Sequence, residues 1–202
     1  MNRVVLALAL LAAGPARGDV EPPAERVLFT RFAAGVAFDH ESWHPDGGSP
    51  GATYAGWGPA LDVAVGRRIR RGLAVAGNLQ LAAAVDRSER TLGTSVALSE
   101  TLHLANTLGA LADYTPGARP WLHLGGGLGI IAVTDIDTNR GASATTWGWA
   151  AAIHAGVERR LSARWAFGLL ARLTIYRFGA DTPPPSSTSI GLLPTLLVTV
   201  SR

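Results

Sequence analysis

The sequence is notable first for what it lacks. It has no cysteine, so no disulfide can stabilise the chain, and all 18 of its basic residues are arginine. Charged residues make up only 16% of the 202 residues. No apolar run reaches the roughly 18 residues that a transmembrane helix requires. No basic patch alternates with stacking aromatic residues, so the sequence predicts no nucleic-acid partner.

What the chain has instead is bulky apolar residues on alternate positions. In residues 73–81, Leu73, Val75, Leu79 and Leu81 alternate with Ala74, Ala76, Asn78 and Gln80. A period of two predicts a β-strand. The residues between the bulky ones are small and mildly polar, whereas a soluble barrel would need charged residues on its water-facing side.

This pattern is best explained by a barrel whose bulky face contacts lipid and whose small residues fill a narrow interior. Closed barrels, like helices, satisfy every backbone hydrogen bond inside a bilayer. The mean hydropathy of +0.20 agrees with this interpretation. We therefore predict an all-β fold, an eight-stranded antiparallel up-and-down transmembrane β-barrel.

Eight strand-like runs can be marked along the chain. They cover residues 30–39, 54–66, 73–85, 94–113, 121–133, 147–158, 165–176 and 190–201. Short connections (67–72, 114–120 and 159–164) alternate with long ones rich in Gly, Pro, Ser and Asp (40–53, 135–146 and 177–189), and residues 86–93 predict a projecting hairpin. Short periplasmic turns and longer extracellular loops are typical of bacterial outer-membrane barrels.

The N-terminus predicts a secretory signal peptide over residues 1–18. Arg3 precedes an apolar stretch, and Ala16, Arg17 and Gly18 lead to a cleavage site before Asp19. Residues 19–28 would be a short periplasmic segment, and residues 29–202 the barrel domain. The predicted location is the cell outer membrane.

Aromatic residues gather at the predicted strand ends. Amphipathic rings prefer the two membrane interfaces, so we expect two aromatic girdles. Their members would be Trp57, Tyr114, Trp121, Trp147, Trp149, Trp165 and Tyr176.

Two segments carry a resemblance to a known family. Residues 119–129 (RPWLHLGGGLG) and 149–162 (WAAAIHAGVERRLS) resemble the fifth strand and third turn of small outer-membrane barrels of the OmpA transmembrane-domain, OmpX and OmpW type. The resemblance extends from Phe29 to Arg202 and includes no periplasmic domain. It implies insertion by the barrel assembly machinery and contact with outer-membrane lipid and lipopolysaccharide, and it implies no chemistry.

Alternation also predicts which polar residues face the lumen. The candidate network is Arg31, Asp62, His103, His123, His154, Glu158 and Arg172. Counting from the short turns places Asp62 and Arg172 near mid-height, and Arg31 and Glu158 near the periplasmic end. Because a buried charge needs a partner, we predict the ion pairs Asp62–Arg172 and Arg31–Glu158.

No catalytic, cofactor or metal site is predicted. His40 and His44 would share one face of a helix, but Pro45 and the glycines after it predict a solvated loop. His103 and Ser99 are four residues apart, which on one strand is roughly 13 Å, too far for a base and its nucleophile.

The predicted function is a monomeric, non-enzymatic barrel with a structural or surface-interaction role in the cell envelope and a plugged lumen. Three alternatives remain at this stage. They are a secreted soluble barrel that binds a small apolar ligand, a narrow gated pore, and a barrel enzyme that modifies lipid A. The sequence names no extracellular ligand.

Overall fold

In the computed structural model, the described residues form nine antiparallel strands. The structure describes residues 28–45, 50–70, 72–91, 94–98, 101–137, 142–162, 165–180 and 187–202. The predicted signal peptide and residues 19–27 lie outside these ranges. The strands are β1 (Leu28–Pro45), β2 (Ala52–Arg70), β3 (Leu73–Thr91), β4 (Thr94–Leu98), β5 (Thr101–Tyr114), β6 (Leu122–Asp137), β7 (Ala142–Arg160), β8 (Ala166–Ala180) and β9 (Ser187–Ser201). Within the described residues, no helix has the length and apolar character to cross a bilayer.

Eight of these strands close into a barrel. Each strand pairs with its neighbours in chain order, and β1 pairs with β9 as well as with β2, which closes the ring. The short strand β4 pairs only with the far end of β3 and extends that hairpin beyond the ring. The predicted run 94–113 is thus two strands, β4 and β5, and the predicted eight-stranded antiparallel barrel is confirmed.

The bulky residues of each strand face outward. Leu128 and Ile153 leave 72% and 67% of their surface exposed, whereas Ala60 and Ala64 on the inner face are buried. Strand pleating sends successive side chains to opposite faces, so one apolar surface encircles the barrel. The predicted inside-out arrangement of the faces is confirmed.

The two ends of the barrel differ. At the turn end, short connections join β2 to β3, β5 to β6 and β7 to β8, and the backbone of Thr30 pairs with that of Arg202. Gly72 has a φ of 80°, which favours glycine, and its carbonyl accepts a hydrogen bond from the Thr115 N–H at 2.6 Å. The opposite end is called the loop end.

At the loop end the strands are longer than the sequence predicts. β1 continues to Pro45, β6 to Asp137 and β8 to Ala180, so much of each predicted long loop is strand. The predicted strand ends were wrong. Turn-forming residues indicate where a strand can end, but a neighbouring strand that supplies backbone hydrogen-bond partners extends the pairing past them.

Candidate functional site: the polar lumen

The interior of the barrel contains two buried polar clusters separated by an apolar layer. The lower cluster, towards the turn end, comprises Arg31, Asp62, Asp113, His123, His154, Glu158 and Arg172. The upper cluster, towards the loop end, comprises Asp39, Glu41, Arg87, His103 and Asp135. Between them lie small and apolar residues that include Ala37, Ala82, Ala105, Ile131, Val133 and Leu193.

In the lower cluster, the Asp62 carboxylate lies between two arginines. Arg172 Nη1 donates to Asp62 Oδ2, and Arg31 Nε lies 3.6 Å from Asp62 Oδ1. Asn78 Nδ2 donates to the same carboxylate at 2.8 Å and its amide oxygen lies 3.2 Å from Arg172 Nη1. The structure therefore places Asp62 and Arg172 in direct contact, which agrees with the ion pair predicted from the sequence.

Arg31 does not contact Glu158, so the second predicted pair is wrong. Arg31 Nη1 instead donates to Asp113 Oδ2 at 2.7 Å. Glu158 accepts hydrogen bonds from the hydroxyls of Ser201 at 2.6 Å and Thr199 at 3.1 Å. The pairing hypothesis did not include Asp113, whose carboxylate lies closer to Arg31 across the lumen.

His123 links Asp113 to Glu158. Its Nδ1 lies 2.8 Å from Asp113 Oδ1 and its Nε2 lies 3.1 Å from Glu158 Oε2. Only the doubly protonated imidazolium can donate to both carboxylates. In that form the cluster has three positive groups, Arg31, Arg172 and His123, against three carboxylates, which makes it electrically balanced.

In the upper cluster, one arginine contacts three carboxylates. Arg87 Nη2 lies 2.9 Å from Glu41 Oε2 and 3.2 Å from Asp39 Oδ2, and its Nη1 lies 3.3 Å from Asp135 Oδ1. His103 Nδ1 lies 2.7 Å from the same Asp135 oxygen. Three carboxylates against one guanidinium leave this cluster acidic.

A β-bulge directs Arg87 into the lumen. Ala55 of β2 faces Ser88 of β3, yet Trp57 faces Val85, so β3 has one extra residue at this point. The extra residue reverses the alternation, because strict alternation from Leu73 would direct Arg87 outward. Arg87 is instead buried, and its Cζ lies 5.0 Å from the centre of the Tyr54 ring.

Two glycines make room for lumen side chains. A Cβ at Gly125 would lie 2.6 Å from Nε2 of His154, which reaches Asp113 Oδ2 at 3.0 Å. A Cβ at Gly191 would lie 1.9 Å from Cζ of Tyr176. Close approach of a buried ring thus requires glycine at both positions.

Tyr176 was assigned to an aromatic girdle, and this assignment is wrong. Its side chain is fully buried inside the barrel, and its hydroxyl donates to Asp39. Tyr176 lies on the same inward face of β8 as Arg172 and Thr174. The girdle prediction considered only its position near a strand end and not this alternation. Tyr176 closes the apolar layer beneath the upper cluster.

Solved structures share this architecture. The chain superposes on the crystal structure of Neisserial surface protein A, NspA, with a TM-score of 0.56 and 14% identity, covering 86% of this chain and 95% of that one. The crystal structure of outer membrane protein OprG from Pseudomonas aeruginosa gives 0.54 and 15%, covering 89% and 98%. This is the fold of the small eight-stranded outer-membrane barrels. No protein-family model matches the sequence, and no curated protein matches it significantly.

The other six aromatic residues proposed for the girdles lie on the outer surface of the barrel. Tyr114, Trp121 and Trp165 are exposed at the turn end, and Trp57, Trp147 and Trp149 are exposed further towards the loop end. These six side chains face outward, as members of a girdle must, and their place at the membrane interfaces stays a prediction.

The sequence reasoning also missed residues of the upper cluster. Asp39 and Glu41 follow the parity of Arg31 on β1, and Asp135 follows that of His123 on β6. Asp39 lies within the predicted first strand and was overlooked, whereas Glu41 and Asp135 would have been found by extending the alternation past the predicted strand ends. Arg87 could not have been found in this way, because its direction depends on the bulge.

His40 and His44, considered as a metal-binding pair, are not arranged as that idea required. His40 and His44 lie on the extended strand β1, where four residues span roughly 13 Å, so they do not share a helical face. His103 is buried inside the upper cluster. Ser99, its notional nucleophile, lies outside the described residues.

Proposed function

We propose that this protein is a monomeric outer-membrane β-barrel of a Gram-negative cell with a lumen closed to solutes and a structural or surface-interaction role in the envelope. Its partners would be outer-membrane lipid, lipopolysaccharide and the barrel assembly machinery. The continuous apolar outer surface supports the location, since such a surface is stable in hydrocarbon and costly in water.

The buried side chains inside the barrel are the observation that supports a closed lumen. Two ionic clusters and the apolar layer between them occupy the interior along the barrel. A cavity of about 20 Å³ lies beside Gln80, Thr107 and Arg172. That volume holds about one water molecule and no hydrated solute.

Two of the alternatives have little support in this geometry. A soluble carrier needs its bulky apolar face inward, and here that face points outward. A barrel enzyme that modifies lipid A needs a reactive base at the outer rim, whereas His103 is 1% exposed and lies against Asp135 and Arg87. Mass analysis of lipid A with and without the protein tests the proposed absence of this activity.

Conductance in planar lipid bilayers tests the closed lumen. We expect no discrete steps from the wild type, and small steps from Arg31→Ala/Arg172→Ala, which removes both arginines of the lower cluster. The matched control is Arg159→Ala/Arg160→Ala, two exposed arginines at the turn end, which should stay silent. Steady conductance from the wild type would contradict the proposal and support the gated pore.

A further inference from the structure

Three potential metal ligands converge in the upper cluster. Asp39, Glu41 and His103 are all buried, and one ligand atom from each lies within 4.8 Å of the other two. His103 Nε2 lies 3.4 Å from Asp39 Oδ2 and 4.0 Å from Glu41 Oε2. Tetrahedral Zn²⁺ with bonds of about 2.0–2.2 Å holds its ligand atoms roughly 3.4 Å apart.

Two of these ligand atoms lack a hydrogen-bond partner. Asp39 Oδ2 and His103 Nε2 are fully buried without one, and their residues are 2% and 1% exposed. A buried polar atom without a partner is costly and calls for an explanation. Because the two atoms lie 3.4 Å apart, one cation between them would satisfy both.

The surroundings of His103 are those of a metal-binding histidine. Its Nδ1 lies 2.7 Å from both Asp135 Oδ1 and Arg87 Nη1. Once Arg87 moves away, Nδ1–H can donate to Asp135, which would orient the ring and leave Nε2 free to coordinate. The Asp135 side chain is 55% exposed at the loop end. The cluster therefore extends to solvent at Asp135.

The charge balance also favours a divalent ion. Asp39, Glu41 and Asp135 oppose a single guanidinium, so the cluster has a formal charge of −2 with neutral His103. Arg87 Nη2 contacts both candidate carboxylates and so acts as the resident cation. An ion of charge +2 would supply positive charge to a cluster in which carboxylates outnumber the single guanidinium.

We propose that the upper cluster binds one divalent transition-metal ion, Zn²⁺ above all, through Asp39, Glu41 and His103. Arg87 gives way as the ion enters, and Asp135 orients His103. A nitrogen ligand beside two carboxylates suits Zn²⁺, whereas Ca²⁺ and Mg²⁺ prefer oxygen ligands alone. The proposed metal site does not depend on whether the lumen conducts ions.

Titration of the untagged full chain, folded in detergent micelles, tests the proposal. Calorimetry with ZnCl₂ should show one site per chain, and Co²⁺ should give the visible absorption bands of a tetrahedral complex with a nitrogen ligand. CaCl₂ and MgCl₂ should give no comparable binding. The proposal is overturned if Zn²⁺ does not bind the folded wild type.

Single variants then locate the site. His103→Ala should abolish Zn²⁺ binding, and Asp135→Asn should weaken it about 10–100-fold, as loss of an orienting partner does. Arg87→Gln removes the competing cation and should bind Zn²⁺ more tightly. Gel mobility with and without heating checks that each variant is folded, and the wild-type titration stands even where a variant is not.

The matched control is His40→Gln/His44→Gln, because these histidines lie on β1 outside the cluster. It should bind Zn²⁺ as the wild type does. Binding that persists in folded His103→Ala, or that disappears in the control, would place the ion elsewhere and refute the site. A folded Arg87→Gln variant with weaker Zn²⁺ binding would refute the displacement of Arg87.

Discussion

The charged side chains of the lumen find their partners on other strands. Arg31 of β1 contacts Asp113 of β5, and Arg172 of β8 contacts Asp62 of β2. Each contact spans the barrel interior, where water is scarce and an unpaired charge is costly. At the scale of single residues, stability therefore depends on complete pairing within each cluster.

Replacement of Arg172 by leucine tests this dependence. Of its two contacts with arginine, Asp62 would keep only the longer one, to Arg31 Nε, together with the neutral Asn78 amide, so we expect a loss of about 3–5 kcal/mol in the free energy of unfolding. Urea unfolding in lipid vesicles provides the measurement. The control, Arg177→Leu, replaces an exposed arginine of the same strand. Equal stability of Arg172→Leu and the wild type would count against a structural role for the pair.

A second residue-scale prediction concerns Gly191. Its substitution by alanine would place a methyl group 1.9 Å from the Tyr176 ring, and overpacking of this kind costs about 1–3 kcal/mol. Thermal unfolding should show the loss for Gly191→Ala. Gly179→Ala should not lose stability in this way, because its added Cβ would lie 3.6 Å from the Ser187 carbonyl oxygen.

A double-mutant cycle separates this clash from a general effect of alanine at position 191. In a Tyr176→Ala background the ring is absent, so Gly191→Ala should cost little further stability. If the cost is the same in both backgrounds, the close approach of Tyr176 does not explain the glycine.

At the scale of elements, the bulge in β3 decides which residues enter the upper cluster. The extra residue lies where Gly56 of β2 faces residues 86 and 87. After it, odd-numbered positions of β3 face inward, which is why Arg87 reaches Asp39 and Glu41. One additional residue therefore adds a positive charge to an otherwise acidic end of the lumen.

Deletion of Asp86 tests this role. Without Asp86 the pairing of β2 with β3 would be regular, with Val85 still facing outward and Arg87 still facing inward. We therefore expect a folded barrel whose gel mobility shifts on heating. The control is deletion of Val198 in the unbroken ladder of β9, which moves part of that strand to the wrong face and should prevent folding. Failure of only the Asp86 deletion would show that the bulge itself is needed.

At the scale of the whole molecule, the barrel reverses the usual relation between inside and outside. The outer surface presents Phe32, Leu61 and Leu128, and the interior holds arginines and carboxylates. Closure of β1 onto β9 leaves no unpaired strand edge within the ring. Such a molecule needs an apolar solvent around it and a filled interior within it.

A shift in gel mobility on heating tests whether the chain folds into the closed barrel. Folded in detergent and left unheated, the protein should migrate as a compact species with β-type circular dichroism, and boiling should shift it to the position of the unfolded chain. A protein that stays soluble without detergent and shows no shift would contradict the membrane barrel.

The sequence by itself determined the alternation of faces, and with it the barrel. Small residues between bulky ones left only one stable arrangement in lipid, and the same parity placed Asp62, His123 and Arg172 in the lumen. These are local properties, because a strand directs successive side chains to opposite sides whatever lies across from it.

Only the tertiary structure decided which lumen residues meet. Arg31 contacts Asp113 and not Glu158 because strand tilt and stagger around the closed barrel set the height of each side chain. The direction of Arg87 depends on a register shift between β2 and β3. The contact of Tyr176 with Asp39 depends on the space that Gly191 leaves across the sheet. Contacts across the barrel exist only after closure, so no pattern along one strand could have determined them.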